Sequence, residues 1–293
     1  MLEIQIIDTF PAFEQFWQCF NRQPIDVQID AWAAVYMLAW PELLQMQVED
    51  YQAEGLDWKQ VARQRIFPYT QERFRAMQTA HANLLKVCEP VLSKAQILLP
   101  LDSDMLFVIY TGIGCGAGWA TTYQGKPAVL FGLENIAEEG WSESTIIDGL
   151  VAHELGHVMH SELRRRSRLA EGSGAWWQLY SEGFAQRCEH RIQGRDTWHM
   201  AHGQVGGWLE WCRANRDSLA ASFLELAENG GDIRPFFGSW FDISGRKQCG
   251  YYLGHAVMRQ LERDLSLTQI ALLPDVDGEM KRQLRRFLKT QKY

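Results

Sequence analysis

The chain has 293 residues, a length that sets an expectation of one or two domains, and 46% of them are apolar, enough for a sizeable core. Its 29 basic and 36 acidic side chains give a formal net charge of −7, which argues against a general nucleic-acid binder. There is no run of 18 uninterrupted apolar residues, so no membrane span is expected, and the opening MLEIQIIDTFPAFEQFW lacks the basic-then-apolar order of a secretory signal.

Residues 1–100 read as a helical N-terminal region. Apolar residues recur at mixed helical spacings over Ala31–Trp40 and again at Leu43, Met46 and Tyr51. Pro24, Pro41 and Pro68 punctuate them, a further helix is expected over Gln71–Ser93, and Pro100 ends the block. No chemistry is visible here, and the expected role is support. Residues 101–293 form the expected second region. Met105–Tyr110 (MLFVIY) and Pro127–Leu133 (PAVLFGL) are rich in strand formers and flank glycine-rich turns, which predicts antiparallel strands over 105–135.

From Ser144 the pattern is helical to about 163, with Arg164, Arg165, Arg166 and Arg168 near the end as a solvated, dipole-matched terminus. A second helix spans about 176–192, with Trp177, Tyr180, Phe184, Cys188 and Ile192 on one side. Asn229–Pro235 is a turn-rich break. Helices follow over 250–292, the last of them, Glu279–Lys292, basic and amphipathic. The six cysteines are widely spaced with no C-x-x-C pair, which fits a reduced, cytoplasmic protein better than a disulfide framework or a cysteine zinc site. Twelve tryptophans read as a tryptophan-rich core or an aromatic-lined cleft.

The first helix carries His153-Glu154-Leu155-Gly156-His157. Histidines four apart lie on one helix face, one turn from each other, where two imidazoles can share a tetrahedral ion. Glu154 then stands beside the metal as a general base, the H-E-x-x-H arrangement of zinc peptidases. A catalytic zinc takes three protein ligands and one open position. His160 is seven residues from His153, about 10 Å along a straight helix, too far to close on the same ion. Glu182, at the centre of the apolar run LYSEGFA, is the expected third ligand, because an unpaired carboxylate is costly to bury there. Glu171, in the polar stretch EGSG, is the runner-up.

HELGH followed by YSEGFA resembles the gluzincin class of zinc peptidases, to which thermolysin and a group of zinc aminopeptidases belong. The 24 residues between His157 and Glu182 exceed the gap in those groups. The whole pattern is closer to a bacterial family described only as predicted zinc-dependent proteases, with a glycine-rich strand region, an H-E-x-x-H helix, an E-G helix and a later G-Y-x-x-G helix, here Gly250–Gly254. The resemblance covers about residues 100–265. It implies an α+β, mostly helical chain with a zincin-like core, a small antiparallel or mixed sheet packed on the H-E-x-x-H helix, and one Zn2+ per chain on His153, His157 and Glu182. It also points to the cluster Tyr251, Tyr252 and His255 as the place of an oxyanion donor, Tyr252 first. Phe131-Gly132-Leu133-Glu134-Asn135 partly resembles the G-x-M-E-N element with which zinc aminopeptidases hold a substrate amine, which would give Glu134 that role. Its strand, if at a sheet edge, could accept a peptide as a further strand.

Gly112-x-Gly114-x-x-Ala117 fits the dinucleotide fingerprint, but that fingerprint needs a helix directly after it, and GWATTYQGKP predicts none. A flexible glycine loop over the cleft is expected instead, with Cys115 as an accessible thiol. The functional expectation is a zinc metallopeptidase acting on a peptide or protein substrate, with no nucleic-acid or membrane partner. The alternative is a peptide- or protein-binding module with a structural or inactive zinc site. Such a site is closed by four protein ligands and has no need of Glu154.

Overall fold

The computed structural model describes residues 4–98 and 104–289. The expected break at Pro100 and the last residues of the C-terminal helix lie outside them. The chain is mostly helical with one small mixed sheet, an α+β protein. It divides into two compact units, residues 1–91 with 102–154 and residues 92–101 with 155–293.

The first unit begins with β1 (Ile4–Asp8), followed by α1 (Phe10–Phe20), α2 (Ile25–Ala31), α3 (Pro41–Ala53), α4 (Trp58–Val61) and most of α5 (Phe67–Leu98). Then come β2 (Met105–Tyr110), β3 (Trp119–Tyr123), β4 (Lys126–Gly132), α6 (Leu133–Glu138) and the first half of α7 (Ser144–Arg166). The sheet order is β1-β2-β4-β3. All six residues of β2 are buried, as a strand covered on both faces requires. Two expectations change here. β2 and β4 pair in parallel (Phe107 opposite Val129), and the antiparallel partner of β4 is β3 (Ala120 opposite Val129). The N-terminal region is also not purely helical: β1 pairs in parallel with β2, Ile6 opposite Phe107. β4 is therefore interior, and the edge strands are β1 and β3.

The N-terminal helices build an aromatic core. Phe10, Phe13, Phe16 and Trp17 follow helical spacing on α1 and are buried, and Phe13 meets Tyr36 edge-on at 5.3 Å. The second unit holds the rest of α7 and α8 (Gly174–Gln193), α9 (Trp208–Ala214), α10 (Arg216–Asn229), α11 (Arg234–Phe237), α12 (Cys249–Leu261), α13 (Leu267–Ala271) and α14 (Val276–Lys289). Glycines set its packing. A Cβ on Gly183 would sit 2.4 Å from the carbonyl carbon of Gly254, and one on Gly156 would sit 2.9 Å from the Cα of Ala185. α8 thus lies backbone-close to both α7 and α12, a fit that any side chain would overfill. α14 packs an apolar face, Met280, Leu284 and Phe287, into this unit.

The arginine cluster at the end of α7 is only partly solvated. Arg165 is exposed and pairs with Glu162, whereas Arg164 is buried and donates to the carbonyls of Ala170, Ala271 and Leu273. No described helix is long and apolar enough to cross a membrane.

Candidate metal centre

α7 runs unbroken through HELGH, so its 3.6-residue turn brings His153 and His157 to one face. His153 is 2% exposed, while the His157 and Glu182 side chains are each 18% exposed. Gly156, on the turn between the histidines, lets α8 approach, and that approach brings Ser181 and Glu182 to His157. The Nε2 of His157 lies 3.3 Å from Glu182 Oε2, and its Nδ1 lies 3.1 Å from the Ser181 hydroxyl. His153, His157 and Glu182 each offer a donor atom, and the three atoms lie within 4.8 Å of one another. Two imidazoles and a carboxylate are the nitrogen and oxygen donors that zinc takes, and a hydroxyl on the far ring nitrogen orients such an imidazole. The residues therefore fit a metal ion.

A second donor set shares His153. With Glu189 and His199 it also offers three atoms within 4.8 Å, all three residues buried. A buried cluster that could hold a metal ion is thus present. Glu189 stands two turns after Glu182 on the same face of α8. Its side chain is fully buried and already engaged: Oε2 lies 2.8 Å from His199 Nδ1, and Oε1 accepts the His199 backbone N–H at 3.3 Å. The sequence reading missed Ser181, Glu189 and His199. A second carboxylate seven residues after Glu182 on the same helix was the available signal.

The other sequence candidates fall as follows. Glu154 is buried, and Gly118 lies against it: a Cβ on Gly118 would come 2.5 Å from Glu154 Oε1. Glu171 is exposed in the loop before α8. His160 is packed, its Nε2–H donating to the Tyr180 hydroxyl at 3.1 Å, and that hydroxyl donates to the Ile270 carbonyl. Burial, with His157 and Arg164 nearby, lowers its pKa to about 3. Tyr252 lines a separate cavity of the second unit, with Trp198 as its ring neighbour at 6.1 Å. Tyr251 meets Phe237, and His255 sits between His190 and Trp198.

The glycine segment after β2 is held by several hydrogen bonds. The Gly112 and Gly114 amides donate to Glu134 at 2.7 and 3.2 Å, and the Ile113 amide donates to Gln47. Tyr51 donates to the Ile113 carbonyl and Trp32 to that of Thr111. Gln47, Tyr51 and Trp32 come from the N-terminal region, which gives that region a job in shaping the loop. Glu134 is 1% exposed, and burial raises its pKa to about 7 against the pull of the two amides. Both its oxygens are committed to the loop, which leaves it no face toward a substrate amine. Strand β3 follows the glycines, so the dinucleotide fingerprint lacks its helix. Burial pushes the Cys115 thiol well up, which disfavours its thiolate form.

Comparison with protein-family profiles, with curated proteins and with solved structures finds no match to this chain.

Proposed function

We propose that the chain is a zinc-dependent metallopeptidase, with His153, His157 and Glu182 as the ligands and Glu154 as the general base. The observation that carries this reading is the 3.3 Å approach of Glu182 to His157, one helical turn from His153. It joins the two motifs that chain distance separates. Partial exposure of His157 and Glu182 favours this set for a reactant that must enter, while Glu189 is spent on His199. A bound zinc ion would supply Lewis acidity toward a water and a substrate carbonyl.

The rest is the work of the chain's own residues. Glu154 follows His153 and accepts a proton from the attacking water, then returns it to the leaving amine. Ser181 fixes the ring of His157. The glycine segment, held by Glu134, Gln47 and Tyr51, places Gly118 against Glu154. Edge strand β3 begins at the next residue and offers a ladder to an extended peptide.

The second reading, favoured by the complete burial of Glu189, is a buried structural metal site that includes His153, Glu189 and His199, in a peptide- or protein-binding module. Metal content by mass spectrometry separates the two. Protein loaded with zinc and desalted is expected to hold about one ion per chain. Glu182→Ala is expected to lose it, and Glu189→Gln to retain it more weakly. Loss only in Glu189→Gln would move the ion to the buried set. A metal-free wild type would overturn both readings.

A further inference from the structure

The second unit contains a cavity of about 530 Å³ in which none of the candidate metal ligands takes part. Five arginines from four helices and the turn after one of them surround it: Arg191 of α8, Arg213 of α9, Arg216 of α10, Arg259 of α12 and Arg263 just beyond α12. Two carboxylates, Asp196 and Glu262, share the lining. Five minus two leaves an excess of three positive charges at one mouth of a chain whose net charge is −7. Such a local inversion focuses anions.

The carboxylates offset this excess only in part. Glu262 is bound on one side by Arg187, at 2.8 Å, and by Arg191, at 3.0 Å, with Arg259 at 3.9 Å. Asp196 is largely exposed and lies 3.3 Å from His190. Arg216 pairs with Asp217 and lies over the Phe287 ring, which holds its guanidinium in place. Arg213 and Arg263 have no ion-pair partner among the described residues. Trp198, Tyr252 and His255 also line the cavity, and the buried Nε2 of His255 has no hydrogen-bond partner among the described residues. Burial, then the neighbouring His190 and Arg187, holds that imidazole neutral, so it adds no further charge to the lining.

We propose that this cavity binds a small organic molecule carrying two or more phosphate groups. Guanidinium forks match phosphate oxygens in bidentate pairs, and such charge-assisted bonds are the strong ones. A single carboxylate would leave most of the excess of three charges unanswered. The volume lies in the range of about 300–1,000 Å³ usual for small-molecule sites, larger than bare pyrophosphate fills, and Trp198, Tyr252 and Phe287 in the lining give aromatic surface for the organic part. The site stands independently of the metallopeptidase reading.

The test is calorimetric titration of the full chain with orthophosphate, pyrophosphate, tripolyphosphate and ATP at moderate salt, with a glutamate-rich hexapeptide as the competing anion. One ATP is expected to bind per chain, at least tenfold tighter than orthophosphate, and to raise Tm. The double variant Arg213→Ala/Arg263→Ala changes exposed side chains only, so its Tm without ligand is expected to match wild type while ATP affinity falls tenfold or more. Arg165→Ala/Arg168→Ala, at the end of α7, removes two exposed charges likewise and is the charge-matched control, expected to bind as wild type. No binding of any phosphate tighter than millimolar, equal affinity in the double variant, or tighter binding of the hexapeptide than of tripolyphosphate would each overturn the proposal.

Discussion

Glu182 and Glu189 stand two turns apart on one face of α8, and each lies within reach of a donor set that includes His153. They differ in what else holds them. Glu182 faces His157 and keeps part of its surface open, whereas Glu189 is sealed and both its oxygens serve His199. The same side chain on the same helix face is thus left partly open in one place and held fixed in the other, and the difference lies in the neighbours. A carboxylate already holding an imidazole and an amide has little left for an exchangeable reactant.

Breaking the comparison at its catalytic end should have the largest effect. Glu154→Gln is expected to lower peptide hydrolysis by about 10²–10⁴-fold while metal content stays at the wild-type level, read by turnover of a peptide library alongside mass spectrometry. A variant that retains both metal and full turnover would remove Glu154 as the base. Next comes the open carboxylate: Glu182→Ala is expected to abolish stoichiometric zinc and activity together, with the far-UV spectrum unchanged. The sealed carboxylate should matter less, Glu189→Gln weakening zinc by about 10–100-fold, as removal of an orienting partner does. Equal losses at 182 and 189 would erase the distinction.

Below these lies the helix contact that aligns Glu182. Gly183→Ala forces a methyl into the backbone of Gly254 and is expected to cost about 1–3 kcal/mol, seen as a lowered denaturation midpoint. The smallest effect is at Glu134. Burial raises its carboxyl pKa from 4.5 to about 7, so between those values the folded chain retains a proton that the unfolded chain has released. Stability from this group therefore falls as pH rises from about 4.5 to 7. Glu134→Gln is expected to lower Tm and to flatten that part of the Tm-against-pH curve. A slope identical to wild type would show that Glu134 is not the titrating group.

What the sequence disclosed and what it hid divide along one line. Periodicity and short motifs placed α7 and α8, and the cost of burying an unpaired glutamate picked out Glu182 from a run of apolar neighbours. Pairing across long chain distances was not legible. Ile4–Asp8 gives no local sign that its partner begins at Met105, and parallel order between β2 and β4 depends on where the intervening chain crosses. Arg164 looked like its exposed neighbours because the carbonyls that accept from it belong to residues 271 and 273. Glu134 resembled a substrate-binding acid, and only the folded loop shows its oxygens taken by Gly112 and Gly114. Ser181 and His199 carry no motif, and they matter through the rings and carboxylates they hold.

The parallel pairing of β1 with β2 has a consequence for how the chain folds. Ile6 meets Phe107 across a hundred residues, and the strand between β2 and β3 in the sheet, β4, comes later still. At about 5–20 residues per second, a ribosome needs about 5–20 s to make the stretch between the two strands, and nascent β1 spends that time without its ladder. Contacts this distant in sequence slow folding, because the loop must close before the pairing stabilises it. The aromatic cluster of α1 with Tyr36 is close in sequence and is free to condense first, holding β1 beside the place where β2 will arrive. Substitutions at Phe13 or Tyr36 should then slow refolding more than they accelerate unfolding.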